Sequence, residues 1–191
     1  MVIHTQKETL VQALSSGAKN DKIGFVPTMG ALHEGHISLV NNDAVVVSIF
    51  VTPTQFNNSA DLEKYPRTPE DDILLLKNLK GNVIVYLPEV SDLYDASVSA
   101  KKYNFGNLEN EMEGKHRKGH FDGVGTIVSK LLKIVKPNTA YFGEKDFQQL
   151  QIVKKLVAIE KLPVKIVGCP ILREKNGLAM SSRNKRLSET Q

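Results

Sequence analysis

Short apolar runs recur along this chain, and polar turns or prolines separate them. Their lengths and their content of β-branched and aromatic residues are typical of strands. One run, VVVSIFV, is apolar in almost every position, which indicates a central strand that is buried on both faces of a parallel sheet. The pattern predicts strands at 23–27, 45–51, 82–88, 138–143 and 164–172.

Helical spacing of apolar residues lies between these runs. It predicts helices over 5–16 and 126–135, a third that begins near Thr68 with Pro69 in its first turn, and a fourth that follows Asp146. Because strands and helices alternate, the chain is predicted to be an α/β protein, with a parallel sheet flanked by helices.

The stretch from Gly24 to Val40 reads GFVPTMGALHEGHISLV, an order that predicts a buried strand, a tight loop and a helix start. Free backbone N–H groups and the helix dipole make a helix start attractive to phosphates. His33 and His36 are three residues apart, so both rings face one side of a helical turn. The loop is therefore interpreted as a site for a nucleotide triphosphate.

Two other interpretations of these histidines are available. A zinc protease helix has the pattern HExxH, whereas HEGH is one residue shorter and contains a glycine, so zinc binding is disfavoured. A loop with two surface histidines is the simpler alternative. The neighbouring glycines and the preceding strand favour the phosphate site over it.

Composition limits the possible functions. The 191 residues suffice for one α/β domain, and a net charge of +4 suits small anionic substrates but not nucleic acid. Cys169 is the only cysteine, so an internal disulfide is excluded and a reducing compartment is favoured. The first residues do not resemble a signal peptide, and no apolar run is long enough to span a membrane. A cytoplasmic protein without membrane or nucleic-acid partners is expected.

Further polar groups follow the other predicted strands. Gln55 follows the second strand, and its amide suits a hydroxyl or a carboxylate of a small acid. Lys145 follows the strand that ends at Gly143 and offers a positive charge to a triphosphate. Arg183, in the segment SSR, can stabilise a transferring phosphoryl group.

Two charged clusters have two interpretations each. Asp71 and Asp72 could approach a magnesium ion, but first-turn acids more often complement a helix dipole, and that interpretation is favoured. The basic segment from His116 to His120 could be a solvated face or lie close to a phosphate, and the sequence does not discriminate between these.

The decapeptide PTMGALHEGH resembles the HxGH signature of adenylyl-transferring nucleotidyltransferases. Its flanks resemble the pantoate:β-alanine ligase family in particular. Three later motifs, TPTQF, NLENEMEGKHRKGHFDGVGT and MSSRN, resemble the same family and occur in the same order. The resemblance extends over nearly the whole chain.

The resemblance implies a Rossmann-like nucleotidyltransferase fold and a reaction in two steps. Pantoate reacts with ATP, with Mg²⁺, to give pantoyl adenylate and pyrophosphate, and β-alanine then displaces AMP to give pantothenate. It also implies a homodimer and a smaller C-terminal lid domain, which is missing from this chain. Residues 1–175 would form the Rossmann-like domain that binds nucleotide and pantoate, and residues 176–191 the phosphate loop and the start of the truncated domain.

The resemblance also assigns site residues. It implies catalytic roles for His33, His36, Lys145 and Arg183. It also implies that Gln55 and Gln149 bind the substrates pantoate and β-alanine. ATP binding is expected from Met29, Gly30, Ala31, Leu32, His33, Glu34, Gly35, His36, Gly143, Glu144, Lys145, Asp146, Leu172, Met180, Ser181, Ser182 and Arg183. No metal ligand is assigned. The family usually has asparagine where this chain has Thr52, so the contact of that amide is in question.

Two other functions stay open. One is an HxGH adenylyltransferase that makes a dinucleotide, and the other is a nucleotide-binding module without turnover. The connection between the first two predicted strands is also short for a parallel crossover, which normally takes a dozen or more residues with a helix. We therefore expect residues of the family's helix to be missing after Val40.

Overall fold

One parallel sheet forms the centre of the computed structural model, which describes residues 1–17, 22–40, 44–94 and 97–188. In these residues it has six strands, in the order β1-β4-β3-β2-β5-β6, and every neighbouring pair is parallel. The predicted parallel α/β fold is therefore confirmed. The strands are β1 (Val2–His4), β2 (Gly24–Thr28), β3 (Ala44–Ile49), β4 (Asn82–Tyr86), β5 (Thr139–Gly143) and β6 (Lys165–Cys169).

Helices connect and cover the strands. The α-helices are α1 (Lys7–Ser16), α2 (Glu34–Ile37), α3 (Ser59–Glu63), α4 (Pro69–Lys77), α5 (Val90–Leu93), α6 (Met112–His116), α7 (His120–Val135) and α8 (Phe147–Ile159). Short 3-10 helices occupy Pro53–Gln55, Gly106–Glu109, Glu144–Asp146 and Ser182–Arg186.

The core lies on both faces of the sheet, because adjacent residues of a strand point to opposite sides. Phe25 and Val46 belong to one apolar cluster, together with residues of α1, α7 and α8. Val26 and Val47 belong to the other, together with Leu76 of α4. β2 and β3 are thus buried on both faces, as the unbroken apolar run of β3 predicts.

Strand order reverses next to β2. From β2 the chain continues to β3 and β4 on one side, and β5 and β6 lie on the other. Crevices at the carboxyl ends of strands form at such a switch point. Here the crevice is opened further, because β2 and β5 pair only at Gly24–Thr139 and Phe25–Ala140. Beyond these pairs the ends of both strands line a cleft.

Two helices begin at residues other than those predicted. α1 begins at Lys7 rather than at residue 5, with Gln6 before its first turn. α7 begins at His120, six residues before the predicted start. Its glycines, Gly123 and Gly125, reduce the helical signal of the sequence there. Gly123 nevertheless belongs in this helix, because it packs against the backbone of Thr54, where a Cβ would not fit.

The connection from β2 to β3 contains the short α2, and the two strands pair in parallel over five residues. The prediction of missing residues after Val40 concerns residues 41–43, which lie outside the described residues. None of the helices in the described part of the chain combines the length and the apolar character that a membrane span requires.

Candidate active site

A cleft of about 220 Å³ lies at the carboxyl ends of β2 and β5. The structure brings together in it most of the residues singled out by the sequence, including His36 and Lys145 from two separate loops. The cleft is lined, among others, by Met29, His33, Gly35, His36, Gln55, Gly143, Lys145, Asp146, Gln149, Leu172, Met180, Ser181, Ser182 and Arg183.

The two histidines after β2 cap their own helix. His33 Nδ1 accepts from the N–H of Gly35 at 3.1 Å, and His36 Nδ1 accepts from the N–H of His33 at 3.3 Å. The ring centroids are 4.1 Å apart. Because each Nδ1 accepts a hydrogen bond, the proton of each neutral ring is on Nε2. The backbone of the turn thereby fixes which ring nitrogen of each histidine is the donor.

His36 is neutral at physiological pH. Burial, together with the positive charge of Lys145 and the neighbouring ring of His33, lowers its pKa from 6.5 to about 3. The ring therefore acts as a donor through Nε2–H and carries no charge of its own. The positive charge at this side of the cleft comes from Lys145, whose Nζ lies 3.0 Å from Asp146 Oδ1.

The loop between β2 and α2 is held from behind by Asp72. Its Oδ2 accepts from the N–H of Ala31 at 2.9 Å and its Oδ1 from the N–H of Leu32 at 2.7 Å. The favoured interpretation of Asp72 as a simple first-turn acid is incomplete, because its side chain is buried and holds another loop. Only its position in the fold reveals this, since the two segments are some forty residues apart.

Five residues expected to bind ATP do not line the cleft. Gly30, Ala31 and Leu32 form the turn behind it, and the N–H groups of the last two are already bonded to Asp72, which leaves neither free for a phosphate. The side chains of Glu34 and Glu144 are exposed, and Glu144 lies against Gly168 of β6. The sequence pattern did not distinguish these residues from their neighbours in the same motifs.

The segment Ser181–Arg183 joins the cleft from the end of the chain. Ser182 is buried and donates from Oγ to the carbonyl of Ala31 at 3.0 Å, and Ser181 Oγ accepts from the N–H of Arg183 at 3.3 Å. Both hydroxyls therefore contribute to the local structure. Arg183 contacts Asp61 at 3.2 Å and lies over the ring of Tyr65. Its guanidinium is thus positioned by Asp61 of α3 and by Tyr65.

The basic cluster of residues 116–120 turns out to support Gln55. His120 Nδ1 lies 2.7 Å from the carbonyl oxygen of Gln55, and Arg117 donates to the same oxygen at 3.4 Å. Burial lowers the pKa of His120, although the carbonyl of Gln55 opposes this effect. Neither a solvated face nor a phosphate site describes these two residues, because both contact the loop that carries the cleft glutamine.

Three hydroxyl groups lie close together around Thr52, the position at which the resemblance implies an asparagine. Thr52 Oγ1 is 2.8 Å from Tyr94 Oη and 3.1 Å from Thr54 Oγ1, and Thr54 Oγ1 is 2.9 Å from Tyr94 Oη. Thr52 is buried at the wall of the cleft. The hydroxyl of Thr52 is therefore engaged with other side chains of the protein. The threonine side chain is also shorter than that of asparagine and has no amide group.

The two adjacent glutamines of α8 have different surroundings. Gln148 is buried and donates from Nε2 to the carbonyls of Leu108 and Glu111 at 2.6 and 2.7 Å. Gln149 lines the cleft. The helical rotation of 100° between neighbours separates a buried structural amide from one that faces the cleft.

Acidic side chains around the cleft form no metal cage. In the described residues no group of three or more histidine, cysteine, aspartate or glutamate side chains could hold a metal ion. The oxygens of Asp72 are taken by backbone N–H groups, and Asp146 is paired with Lys145. The donor set does not fit a metal bound by protein side chains alone.

This architecture defines the class of the protein. A parallel α/β sheet has a switch-point cleft that carries an HxGH turn, a lysine loop and an SSR segment, which is the arrangement of a Rossmann-like nucleotidyltransferase.

Comparison with known proteins narrows the class to a family. Residues 2–191 match the sequence profile of the family described as Pantoate-beta-alanine ligase. A pantothenate synthetase from Flavobacterium psychrophilum is 63% identical over 171 residues, which cover 87% of this chain and 61% of that protein. A pantothenate synthetase from Christiangramia forsetii is 53% identical and is covered to 69%, with 98% of this chain aligned.

A solved structure agrees with these relatives. The pantoate-beta-alanine ligase from Francisella tularensis, complexed with beta-gamma ATP and beta-alanine, superposes with a TM-score of 0.93 at 45% identity. The match covers all of this chain and 74% of that one. The chain therefore belongs to the pantoate-beta-alanine ligase family, and it spans about three fifths to two thirds of the length of the curated relatives.

Proposed function

We propose that this protein joins pantoate to β-alanine at the expense of ATP, through a pantoyl-adenylate intermediate. One observation carries the proposal: the histidine turn, Lys145, Arg183 and the two glutamines Gln55 and Gln149 open onto one cleft. Family membership supports the same activity, and the related ligase from Francisella tularensis is described with a nucleotide and β-alanine bound.

The first step requires one anion to attack another. The carboxylate oxygen of pantoate forms a bond to the α-phosphorus of ATP, and the bond to pyrophosphate breaks. Positive charge and fixed hydrogen-bond donors lower this barrier when they face the phosphate oxygens. In our proposal the Nε2–H groups of His33 and His36, the ammonium of Lys145 and the guanidinium of Arg183 supply them.

The second step is an acyl transfer. The amine of β-alanine attacks the acyl carbon of the adenylate, a proton leaves the nitrogen, and the bond to the AMP oxygen breaks. We propose that the amides of Gln55 and Gln149 hold the hydroxyl and carboxyl groups of pantoate through both steps. The side-chain amide of Gln55 lies against Met29 Sδ at 2.6 Å, and His120 contacts its backbone.

Mg²⁺ is proposed to arrive with ATP. Magnesium is usually bound through substrate phosphates, waters and few carboxylates, so the lack of a carboxylate cage in the described residues agrees with a metal held mainly by the triphosphate. Bound there, the ion would neutralise phosphate charge. The protein groups named above would still align the reactants.

The test is to incubate the protein with ATP, Mg²⁺, D-pantoate and β-alanine and to follow AMP. We expect AMP to form only when all three substrates are present, and pyrophosphate exchange to depend on pantoate. Exchange that depends on a nucleotide monophosphate instead would identify an adenylyltransferase that makes a dinucleotide. Nucleotide binding without AMP formation would identify a binding module.

A matched pair of variants tests the substrate side of the cleft. Gln149→Leu removes the amide that faces the cleft, and we expect the KM for pantoate to rise about 10-fold or more while the KM for ATP changes little. Gln12→Leu makes the same replacement on the exposed face of α1 and is expected to leave both values unchanged. Equal kinetics of the two variants would remove Gln149 from the pantoate site.

Two properties of the protein stay predictions. The resemblance predicts a homodimer, and composition predicts a cytoplasmic location. Light scattering of the purified protein tests the first, because a mass near 21.2 kDa per particle would contradict a dimer of this chain.

A further inference from the structure

The turn between β2 and α2 depends on one buried carboxylate. Gly30 and Ala31 both have positive φ values, of 80° and 50°, and an alanine rarely adopts that conformation without support. The support is Asp72, whose two oxygens each accept one N–H from this turn. A third bond, from Thr68 Oγ1 at 3.2 Å, fixes the carboxylate from the side of α4.

The same turn is tied to the end of the chain. The N–H of Ala31 donates to Asp72, and the carbonyl of Ala31 accepts from Ser182 Oγ at 3.0 Å. Ala31 is fully buried between them. Asp72 and Ser182 thus hold Ala31 from two directions. Because Ala31 belongs to the histidine turn and Ser182 precedes Arg183, these bonds fix the distance between the turn and the segment that carries Arg183.

Packing alone would fix this turn only in part. Gly30 has no side chain and lines a second hollow of about 780 Å³ behind the loop, whose other walls include Asp72, Ile49 and Tyr94. The carboxylate approaches so closely that a Cβ on Gly30 would lie 2.9 Å from its Oδ2. The carboxylate of Asp72 therefore supports this side of the turn together with Ile49, whose Cγ2 would lie 3.1 Å from the same Cβ.

We propose that Asp72 is a positioning residue of the nucleotide site. It fixes the turn that carries His33 and His36 and, through Ala31, the distance of that turn from Arg183. It does not touch the substrate, since both of its oxygens are bonded to the protein. The inference rests on the proposed function in so far as the cleft binds ATP.

The variant Asp72→Asn tests this role. Asparagine has one side-chain acceptor, so one of the two N–H groups would face an NH₂ group and the turn would relax. We expect kcat for AMP formation to fall about 10- to 100-fold and the dissociation constant for ATP to rise, while the KM values for pantoate and β-alanine stay within about 2-fold. Asp71→Asn changes the exposed neighbour on the same helix turn and is expected to leave all of these values unchanged.

A double-mutant cycle separates positioning from a general loss of stability. If Asp72 and Ser182 fix the same residue, the effects of Asp72→Asn and Ser182→Ala on kcat are less than multiplicative in the double variant. The effects of Asp72→Asn and Gln149→Leu on kcat/KM for pantoate are expected to be multiplicative, since Gln149 takes no part in the hydrogen bonds that hold Ala31. Multiplicative effects in both cycles would overturn the proposal, as would Asp72→Asn kinetics equal to those of Asp71→Asn.

Two further measurements keep the result interpretable. Thr68→Val removes a single hydrogen bond to Asp72 and is expected to give a smaller shift in the same parameters. It takes the place of Asp72→Asn if that variant folds poorly. Calorimetric titration with ATP alone needs no turnover. If the protein binds ATP but forms no AMP, the proposed ligase activity fails, and the ratio of ATP dissociation constants of Asp72→Asn and Asp71→Asn still decides the role of Asp72.

Discussion

At the scale of single residues, the cleft combines the neutral imidazole of His36 with the cationic side chains of Lys145 and Arg183. The backbone N–H groups of the turn occupy Nδ1 of His33 and His36, and burial beside Lys145 keeps His36 uncharged. A neutral donor with a fixed direction is less hydrated than a cation and loses less on contact with a phosphate. The positive charge of the cleft is placed on Lys145 and Arg183 instead.

The proposed catalytic role of His36 and its role in capping α2 can be separated by substitution. His36→Asn keeps an acceptor near the position of Nδ1 for the N–H of His33 but has nothing at the position of Nε2. We expect it to lower the adenylation rate about 100-fold and ATP affinity by less than about 3-fold, with little loss of stability. His36→Ala is expected to lose the same rate and to be destabilised by about 1 kcal/mol, because the cap is lost as well. Equal losses of rate and affinity in single-turnover and binding measurements would mean that the ring binds ATP without favouring the transition state.

The low pKa of His36 predicts how stability depends on pH. The unfolded chain takes up a proton at this residue near pH 6.5, whereas the folded protein does so only near pH 3. Between these values the unfolded state binds more protons, so stability falls as the pH falls, by at most about 1.4 kcal/mol per pH unit from this residue. Urea unfolding at pH 7, 5 and 4 measures it, with His36→Asn as the reference. A stability difference between wild type and variant that stays constant over this range would contradict the prediction.

At the scale of elements, α7 acts as the support of the loop that carries Gln55. The helix packs so closely on Pro53–Gln55 that a Cβ on Gly123 would lie 2.0 Å from the carbonyl oxygen of Thr54. His120, one turn earlier, contacts the carbonyl of Gln55. The first turn of α7 therefore fixes the position of Gln55.

Gly123→Ala tests this close approach. In most helices this change stabilises by up to about 1 kcal/mol, but here the added methyl must displace backbone, and we expect a loss of about 1–3 kcal/mol and a KM for pantoate raised about 10-fold. Gly125→Ala, two residues on, meets the rings of Tyr103 and Phe105 at 3.1 Å and is the control. It is expected to leave the KM for pantoate unchanged. Thermal unfolding and steady-state kinetics of both variants decide the question, and a stabilised Gly123→Ala protein would refute the contact.

At the scale of the whole molecule, the cleft results from the divergence of two strands at a switch point. Three segments that are far apart in the chain meet there: the turn after β2, the loop after β5 and the segment around Arg183. A ligand that contacts all three connects them and stabilises the folded state by mass action. ATP is therefore expected to act as a global stabiliser.

Thermal unfolding with ATP measures this effect. At a concentration 100 times the dissociation constant, binding adds about 2.7 kcal/mol, which raises Tm by about 5–10 °C for a chain of this size. Lys145→Gln removes the ammonium from the cleft and is expected to reduce the shift at the same ATP concentration. Lys155→Gln makes the same change of charge on the exposed side of α8 and serves as the control. An equal shift in the two variants would place ATP away from Lys145.

Local patterns in the sequence already contained most of the fold. Alternating strands and helices predicted the parallel sheet, the unbroken apolar run predicted a strand buried on both faces, and the HEGH turn predicted the start of α2. These features depend on neighbours within a few residues, so a local sequence pattern is sufficient to predict them. The early start of α7 was missed because its glycines weaken local helix propensity, although packing against Thr54 requires one of them.

The sequence by itself determined the elements, their alternation and the residue types that reach the cleft, because periodicity, breakers and motif spacing are local properties. Only the tertiary structure decided that Asp72 holds the turn at Ala31, that His120 supports Gln55, and that Ser182 contributes to structure while Arg183 faces the cleft. Each of these contacts joins segments that are 41 to 151 residues apart, and hydrogen bonds at such separations are fixed by the packing of the sheet and its helices. No local pattern encodes which buried acceptor meets which N–H group.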